Sequence, residues 1–162
     1  MEGSAVTFLG LFVAVFLAME FVAWFTHKHV MHGFLWGLHR SHHRPRALDG
    51  SAGPEKNDLF GAFFSLVAAG FFVLGASVHP LFFAAGLGMT AYGVAYLFLH
   101  DMLAHKRFGV RLHPKGGYLR DVLRSHRVHH ARRTKEGCVS FGFLLPMRKA
   151  AISRKNAGRG LF

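Results

Sequence analysis

A chain of 162 residues that is 51% hydrophobic, yet carries 20 Lys plus Arg against 8 Asp plus Glu, is no ordinary soluble domain, since its mean hydropathy stays positive at a net charge of +12. The two facts are compatible only if apolar blocks for lipid are segregated from basic blocks for water. That segregation argues against a nucleic-acid-binding domain, and the single cysteine, Cys138, excludes an intrachain disulfide.

The first element predicted is a transmembrane helix over residues 5–26, whose only charge is Glu20. Its start, Met-Glu-Gly-Ser, is acidic and the run is longer than a signal core, so it reads as a retained span and not a cleaved leader. Residues 44–57, with Pro, Gly, Asp and Ser, read as a loop. Residues 59–78 and 80–99 are two further runs of 20 without a charge. At 1.5 Å per residue each can cross roughly 30 Å of hydrocarbon. His79-Pro80 marks a tight turn between them. In the third span, Ala84, Gly88, Ala91 and Ala95 would let a neighbouring helix approach closely. The tail after Arg148 is basic and glycine-containing, and reads as frayed.

Lys28, Arg40, Arg44, Arg46 and Lys56 lie between spans one and two, and the other 15 basic residues follow span three. With three spans all 20 fall on one side, which predicts N-terminus out and C-terminus in the cytoplasm. The expected fold is all-α: one membrane-embedded domain over residues 1–162, with residues 27–58 and 100–162 cytoplasmic.

Thirteen histidines are several times the ordinary frequency, and ten fall into four boxes. His27 and His32 are spaced H-x4-H, as are His100 and His105. His39, His42 and His43 are spaced H-x-x-H-H, as are His126, His129 and His130. Positions i, i+3 and i+4 share a helix face, so each triplet can point into one cavity. Five residues, however, advance an α-helix by about 140°. The H-x4-H rings therefore diverge unless the helix bulges, bends or ends between them. Three spans place all four boxes on the same side as the basic residues, a second and independent argument for three.

Ten neutral imidazoles converging without a cation would leave many ring nitrogens unpaired. Ten are too many for one ion and suit two, at about five each. Imidazole binds iron, zinc, copper and nickel. Zinc has no redox chemistry, whereas iron activates O2 for attack on an unactivated C–H bond. A site facing a lipid-like substrate, without a serine nucleophile motif, fits oxidation better than hydrolysis. A histidine-rich metal transporter or a membrane haem protein is the rival of another class. A transporter would place its polar ligands at midmembrane, and bis-histidine haem needs few histidines. A zinc-stabilised membrane scaffold is a third reading. His29, His79 and His113 lie outside the boxes and read as non-ligands, with His113 the nearest to an exception.

Glu20, an ionisable group within a span, shares a face with Trp24 and His27. It either accepts a hydrogen bond from His27 or pairs with another helix. Asp101 and Asp121 sit beside boxes, as acceptors for histidine or as solvated, capping residues. Trp24, Trp36, Tyr92 and Tyr96 either line a substrate tunnel or pack as an ordinary aromatic belt. The basic face suits anionic lipid, and also an acidic electron-donor protein.

The segments MEFVAWFTHKHVMHG, LHRSHHRPR, NDLFGAFF, GMTAYGVAYLFLHDMLAHKR and SHRVHHARRTKEGCVSFGF carry a resemblance that runs from about Met19 to Phe143. The sequence resembles the bacterial β-carotene 3-hydroxylases of the fatty acid hydroxylase superfamily. The boxes alone point to the superfamily, and Gly-Met-Thr-Ala-Tyr-Gly and Lys-Glu-Gly-Cys-Val-Ser-Phe-Gly-Phe to the carotenoid branch. The resemblance implies a non-haem di-iron monooxygenase of the bacterial inner membrane, using O2 and a ferredoxin-type reductant. It would hydroxylate C3 of the β-ionone rings of β-carotene to give β-cryptoxanthin and zeaxanthin, and also convert canthaxanthin to astaxanthin. The family's metal positions map onto the ten boxed histidines, with zinc able to substitute for iron in purified protein. A fatty acid or sterol hydroxylase or desaturase of the same superfamily is the nearest alternative.

Overall fold

The computed structural model describes residues 2–44, 53–110 and 112–146, and among them there is no strand. Helix α1 (Glu2–Phe25) continues as a π-helical segment, Thr26–Phe34. A short α2 (Trp36–His39) passes into a 3-10 turn, Arg40–His43. Then come α3 (Asp58–Ser77), α4 (Leu81–Tyr96) with its own π-helical extension Leu97–Ala104, and α5 (Gly117–His130). Most of the expected 44–57 loop and all of the tail after Arg148 lie outside the described residues.

Among the described residues, three continuous helices are long and apolar enough to cross a membrane: Ser4–Phe34, Asp58–Ser77 and Leu81–Ala104. The first and third run beyond the spans expected from hydropathy because the π-helical segments carry histidines. Leu9, Leu17, Phe21, Phe63, Leu66 and Val73 are exposed on α1 and α3, as suits helices solvated by lipid. The expected turn between spans two and three is present: the Val78 and His79 amides both donate to Leu74 O, at 2.8 and 3.1 Å, and Pro80 precedes α4.

Helix α4 packs against both α1 and α3. The reason is the small-residue face seen in the sequence. Ala84 is fully buried. A Cβ on Gly88 would lie 2.8 Å from Phe12 O and 3.0 Å from Val15 Cβ, so glycine sets how closely α1 and α4 approach. On the other side, Gly75 meets the Phe83 ring and Gly86 the Phe72 ring. Phe12 lies beside Gly88 and Glu20 beside Tyr92. Helices α1 and α4 therefore run in the same direction, and their π-helical ends emerge at one end of the bundle. There α5 packs against the extension of α4.

Candidate metal centre

His27, His32 and His100 lie within the two π-helical segments, and His105 caps the second. The amide of His105 donates to His100 O at 2.9 Å, and that of Leu35 to Val30 O at 3.0 Å, both five residues apart. Widening the turn brings the fifth residue back towards the same face. The helix bulges where the spacing demanded it. Among the described residues, these are the two π-helical segments.

The boxes assemble into two groups of five. His27, His32, His39, His43 and His129 form cluster A; His42, His100, His105, His126 and His130 form cluster B. In each, one ring nitrogen per residue lies within 4.8 Å of all the others. The grouping corrects one expectation. The H-x-x-H-H triplets do not share a cavity: His39 and His43 go to A but His42 to B, while His126 and His130 go to B but His129 to A. Successive residues of a helix diverge by about 100°, so i+3 and i+4 flank position i and reach different groups. The partition is reciprocal. Each H-x4-H box serves one cluster whole, and each triplet lends its middle histidine to the other.

Hydrogen bonding fixes the tautomers. In cluster A the Nδ1–H groups of His27, His32, His43 and His129 donate to the carbonyls of Phe141 (2.9 Å), Lys135 (3.1 Å), Arg132 (2.7 Å) and Val139 (2.8 Å). His39 Nδ1 meets Asn57 Oδ1 at 2.7 Å. A carbonyl has no proton to give, so the ring nitrogen must donate and the Nε2 lone pair is left free. In cluster B, His42 Nδ1 donates to Glu55 Oε2 (3.2 Å) and His100 Nδ1 to Asp101 Oδ1 (2.7 Å).

The Nε2 atoms left bare then face one another. His32 and His129 approach to 3.2 Å, His27 and His39 to 3.1 Å, His39 and His43 to 3.1 Å, and His42 and His100 to 3.0 Å. The Nε2 atoms of His105 and His126 also lie 2.8 Å apart in cluster B. Pairs whose Nδ1 atoms are already donors have no second proton to place between them. Burial pushes His129 down to about 2 and His39 to about 3, and holds His42 and His126 well below the usual imidazole range. These rings are neutral at pH 7. A buried ring nitrogen of His130, Nε2, has no hydrogen-bond partner. Lone pairs aimed at one another are repulsive unless a cation lies among them. Two nitrogens bound at right angles to one ion at about 2.1 Å sit about 3.0 Å apart. The donor set fits two metal ions, one per cluster.

The remaining candidates separate clearly. Asp101 backs His100 as expected. Asp121 does not do so through Oδ1, which is buried without a hydrogen-bond partner. Glu20 does not reach His27, whose Nδ1 is taken by Phe141 O. Its carboxylate instead accepts the Tyr92 hydroxyl at 2.7 Å and the backbone amides of Phe143, Leu144 and Leu145. Tyr92, 3% exposed and committed to Glu20, is a core residue. Tyr96 stacks on His100 with ring centroids 4.3 Å apart, and Trp36 packs on His32 and His43 at 5.0 and 5.3 Å. Trp24 stacks on Phe21, with the Lys28 ammonium 5.0 Å from its ring. His29, His79 and His113 are exposed and in neither cluster.

Sequence reasoning missed Asn57, Glu55 and the segment Arg132–Phe143. Asn57 stood only inside a matching segment and the Lys-Glu-Gly-Cys-Val-Ser-Phe-Gly-Phe string only as a mark of resemblance, because backbone carbonyl acceptors leave no side-chain signature. Phe141 packs on His27, His32 and His129, and Phe143 on His100 and His126. Asp58 holds this end together by pairing with both Arg107 guanidinium nitrogens and accepting the Glu55 amide at 2.8 Å.

Apolar helices long enough to span a membrane, delivering ten histidines into two metal-sized groups, define an all-helical protein with a two-part candidate metal centre. The chain belongs to the fatty acid hydroxylase family, which matches residues 12–149. It is 45% identical over 147 residues to a β-carotene hydroxylase of Pseudescherichia vulneris, covering 88% of this chain and 81% of that protein. It is 42% identical over 149 residues to a β-carotene hydroxylase of Paracoccus sp. (strain PC1), covering 90% of each. A chloroplastic β-carotene 3-hydroxylase 1 of Arabidopsis thaliana is 40% identical over 157 residues, covering 90% of this chain and 48% of that protein. No solved structure matches the chain.

Proposed function

We propose that this protein is an O2-dependent di-iron monooxygenase that hydroxylates C3 of the β-ionone rings of β-carotene, giving β-cryptoxanthin and then zeaxanthin. The observation that carries the reading is the division of ten imidazoles into two groups of five, in a chain whose relatives bear the name β-carotene hydroxylase. All ten boxed histidines are taken as ligands.

Iron held in the two clusters would supply the redox chemistry that activates O2 towards an unactivated C–H bond. The protein's own contribution is positioning. Backbone carbonyls, Asn57, Glu55 and Asp101 hold seven of the rings with Nε2 bare and aimed inward. Phe141, Phe143, Tyr96 and Trp36 line the clusters with apolar surface that keeps water out. The spanning helices hold the long polyene in the bilayer and admit one ring at the histidine end. The balance is one ring C–H bond broken and one C–OH bond formed. The second oxygen atom leaves as water, with two protons and two electrons from a ferredoxin-type donor. A basic surface on the cytoplasmic side of the inner membrane, with the N-terminus outside, would meet that acidic donor and anionic lipid. Ketolated rings fit the same chemistry, so canthaxanthin would give astaxanthin.

Expression in β-carotene-producing bacteria tests the reading. Zeaxanthin should accumulate, with β-cryptoxanthin as its precursor. Unchanged β-carotene in cells holding inserted, metal-loaded protein would refute it and favour a fatty acid or sterol substrate.

A further inference from the structure

The segment after α5 has to be shaped by something other than its own backbone. Residues 133–146 form no helix or strand, and among the described residues no amide in that stretch donates to another backbone carbonyl. Ser140 takes φ 61°, a conformation a free chain has no reason to prefer at a non-glycine residue. Yet this strap must hold Lys135 O, Val139 O and Phe141 O within hydrogen-bond reach of three imidazoles of cluster A. Its order comes from side chains.

The largest of those restraints is Glu20. Three consecutive amides converge on its carboxylate: Phe143 N at 2.7 Å and Leu145 N at 3.0 Å to Oε1, and Leu144 N at 2.9 and 3.0 Å to the two oxygens. Successive N–H groups curled round one anion form a nest, and bonds to an ionised acceptor are the strong ones. The carboxylate is itself fixed, because the Tyr92 hydroxyl donates to Oε2 at 2.7 Å. The approach is so close that a Cβ on Gly142 would lie 2.8 Å from Oε1. Tyr118 adds a lesser tie by donating to Leu144 O at 2.6 Å. A buried carboxylate in an apolar helix is costly, and packing against α4 needs only the bond to Tyr92. The three amides are the part that packing does not require.

We infer that Glu20 is a positioning residue for cluster A: it pins the strap 143–145 to α1, and through the strap sets the carbonyls that orient His27, His32 and His129. Cluster B takes the acceptors behind His42 and His100 from Glu55 and Asp101, outside the strap, and meets the pin only through the Phe143 ring packed on His100 and His126. The inference rests on the reading of the clusters as two metal positions.

The test counts ferrous iron per chain after anaerobic loading of the full-length protein in detergent, alongside amide hydrogen exchange. Wild type should hold two equivalents. E20A should hold one, and the double variant E20A/H105A none. Y92F, which leaves the three amides their acceptor, should hold two. E20A retaining both equivalents, or losing both together while still folded, overturns the inference. If wild type itself fails to hold two, the two-metal reading falls and exchange alone decides. Faster exchange of the 143–145 amides in E20A, with α5 unchanged, then supports the pin, and equal exchange refutes it.

Discussion

Clusters A and B are built to one recipe and backed by different chemistry. Each takes both histidines of an H-x4-H box on a π-helical segment, two from the nearer triplet and one from the farther. Behind A stand four backbone carbonyls and the Asn57 side chain, none of them charged. Behind B stand the carboxylates of Glu55 and Asp101, with Asp58 and Arg107 beside them. A carboxylate behind an imidazole makes it a more basic ligand than a carbonyl does. Equal donor counts therefore do not make equal positions: with ions bound, B would be the better place for the more positively charged one.

The largest effects should come from removing a boxed histidine. His39→Ala in A or His42→Ala in B should abolish zeaxanthin formation, measured by pigment extraction from β-carotene-producing cells. Full activity in several such variants would sink the assignment of the boxes. Next is the backing of cluster B. Asp101→Asn and Glu55→Gln should weaken one of two iron equivalents by about 10–100-fold, measured by competition with a chelator. Equal weakening of both would mean the clusters are not separately supported. The converse change, Asn57→Asp, gives cluster A a carboxylate and should tighten its ion by about tenfold, narrowing the gap between the two affinities. Gly88→Leu acts away from both. It forces α1 and α4 apart and should cost about 1–3 kcal/mol of stability, seen as a lower Tm with metal stoichiometry unchanged. Smallest are His29→Ala, His79→Ala and His113→Ala, whose activity should stay within about twofold of wild type, because surface substitutions seldom matter.

Much of this was legible in the sequence for a physical reason. Lipid demands long apolar helices, and metal demands nitrogen donors, so both leave residue types in plain view. The H-x4-H spacing even announced a local defect in the helix, and the π-helical turns at His32 and His105 supply it. The partition of the triplets was not legible, because i+3 and i+4 look like one face until a second partner draws them apart. Nor was the role of Glu20, because its amide partners lie 123 to 125 residues away and a backbone N–H is the same at every position. Tyr92 illustrates the same limit. Its aromatic ring left a substrate wall and ordinary packing both open, and only its hydroxyl's partner on α1 decides for packing.

The reciprocal partition also ties the chain into rings. His32 and His129, whose Nε2 atoms meet in cluster A, are 97 residues apart, and His42 and His100 in cluster B are 58 apart. An ion gripping both ends closes each loop as a covalent cross-link would, removing conformations from the unfolded chain. The two rings are interlocked, since the segment bearing His39, His42 and His43 belongs to both. Stripping the metal should thus leave three helices still inserted in lipid, with the ends that carry the histidines released from each other. On this view the ions are fasteners as well as reagents, and the order of loading becomes part of how the protein folds.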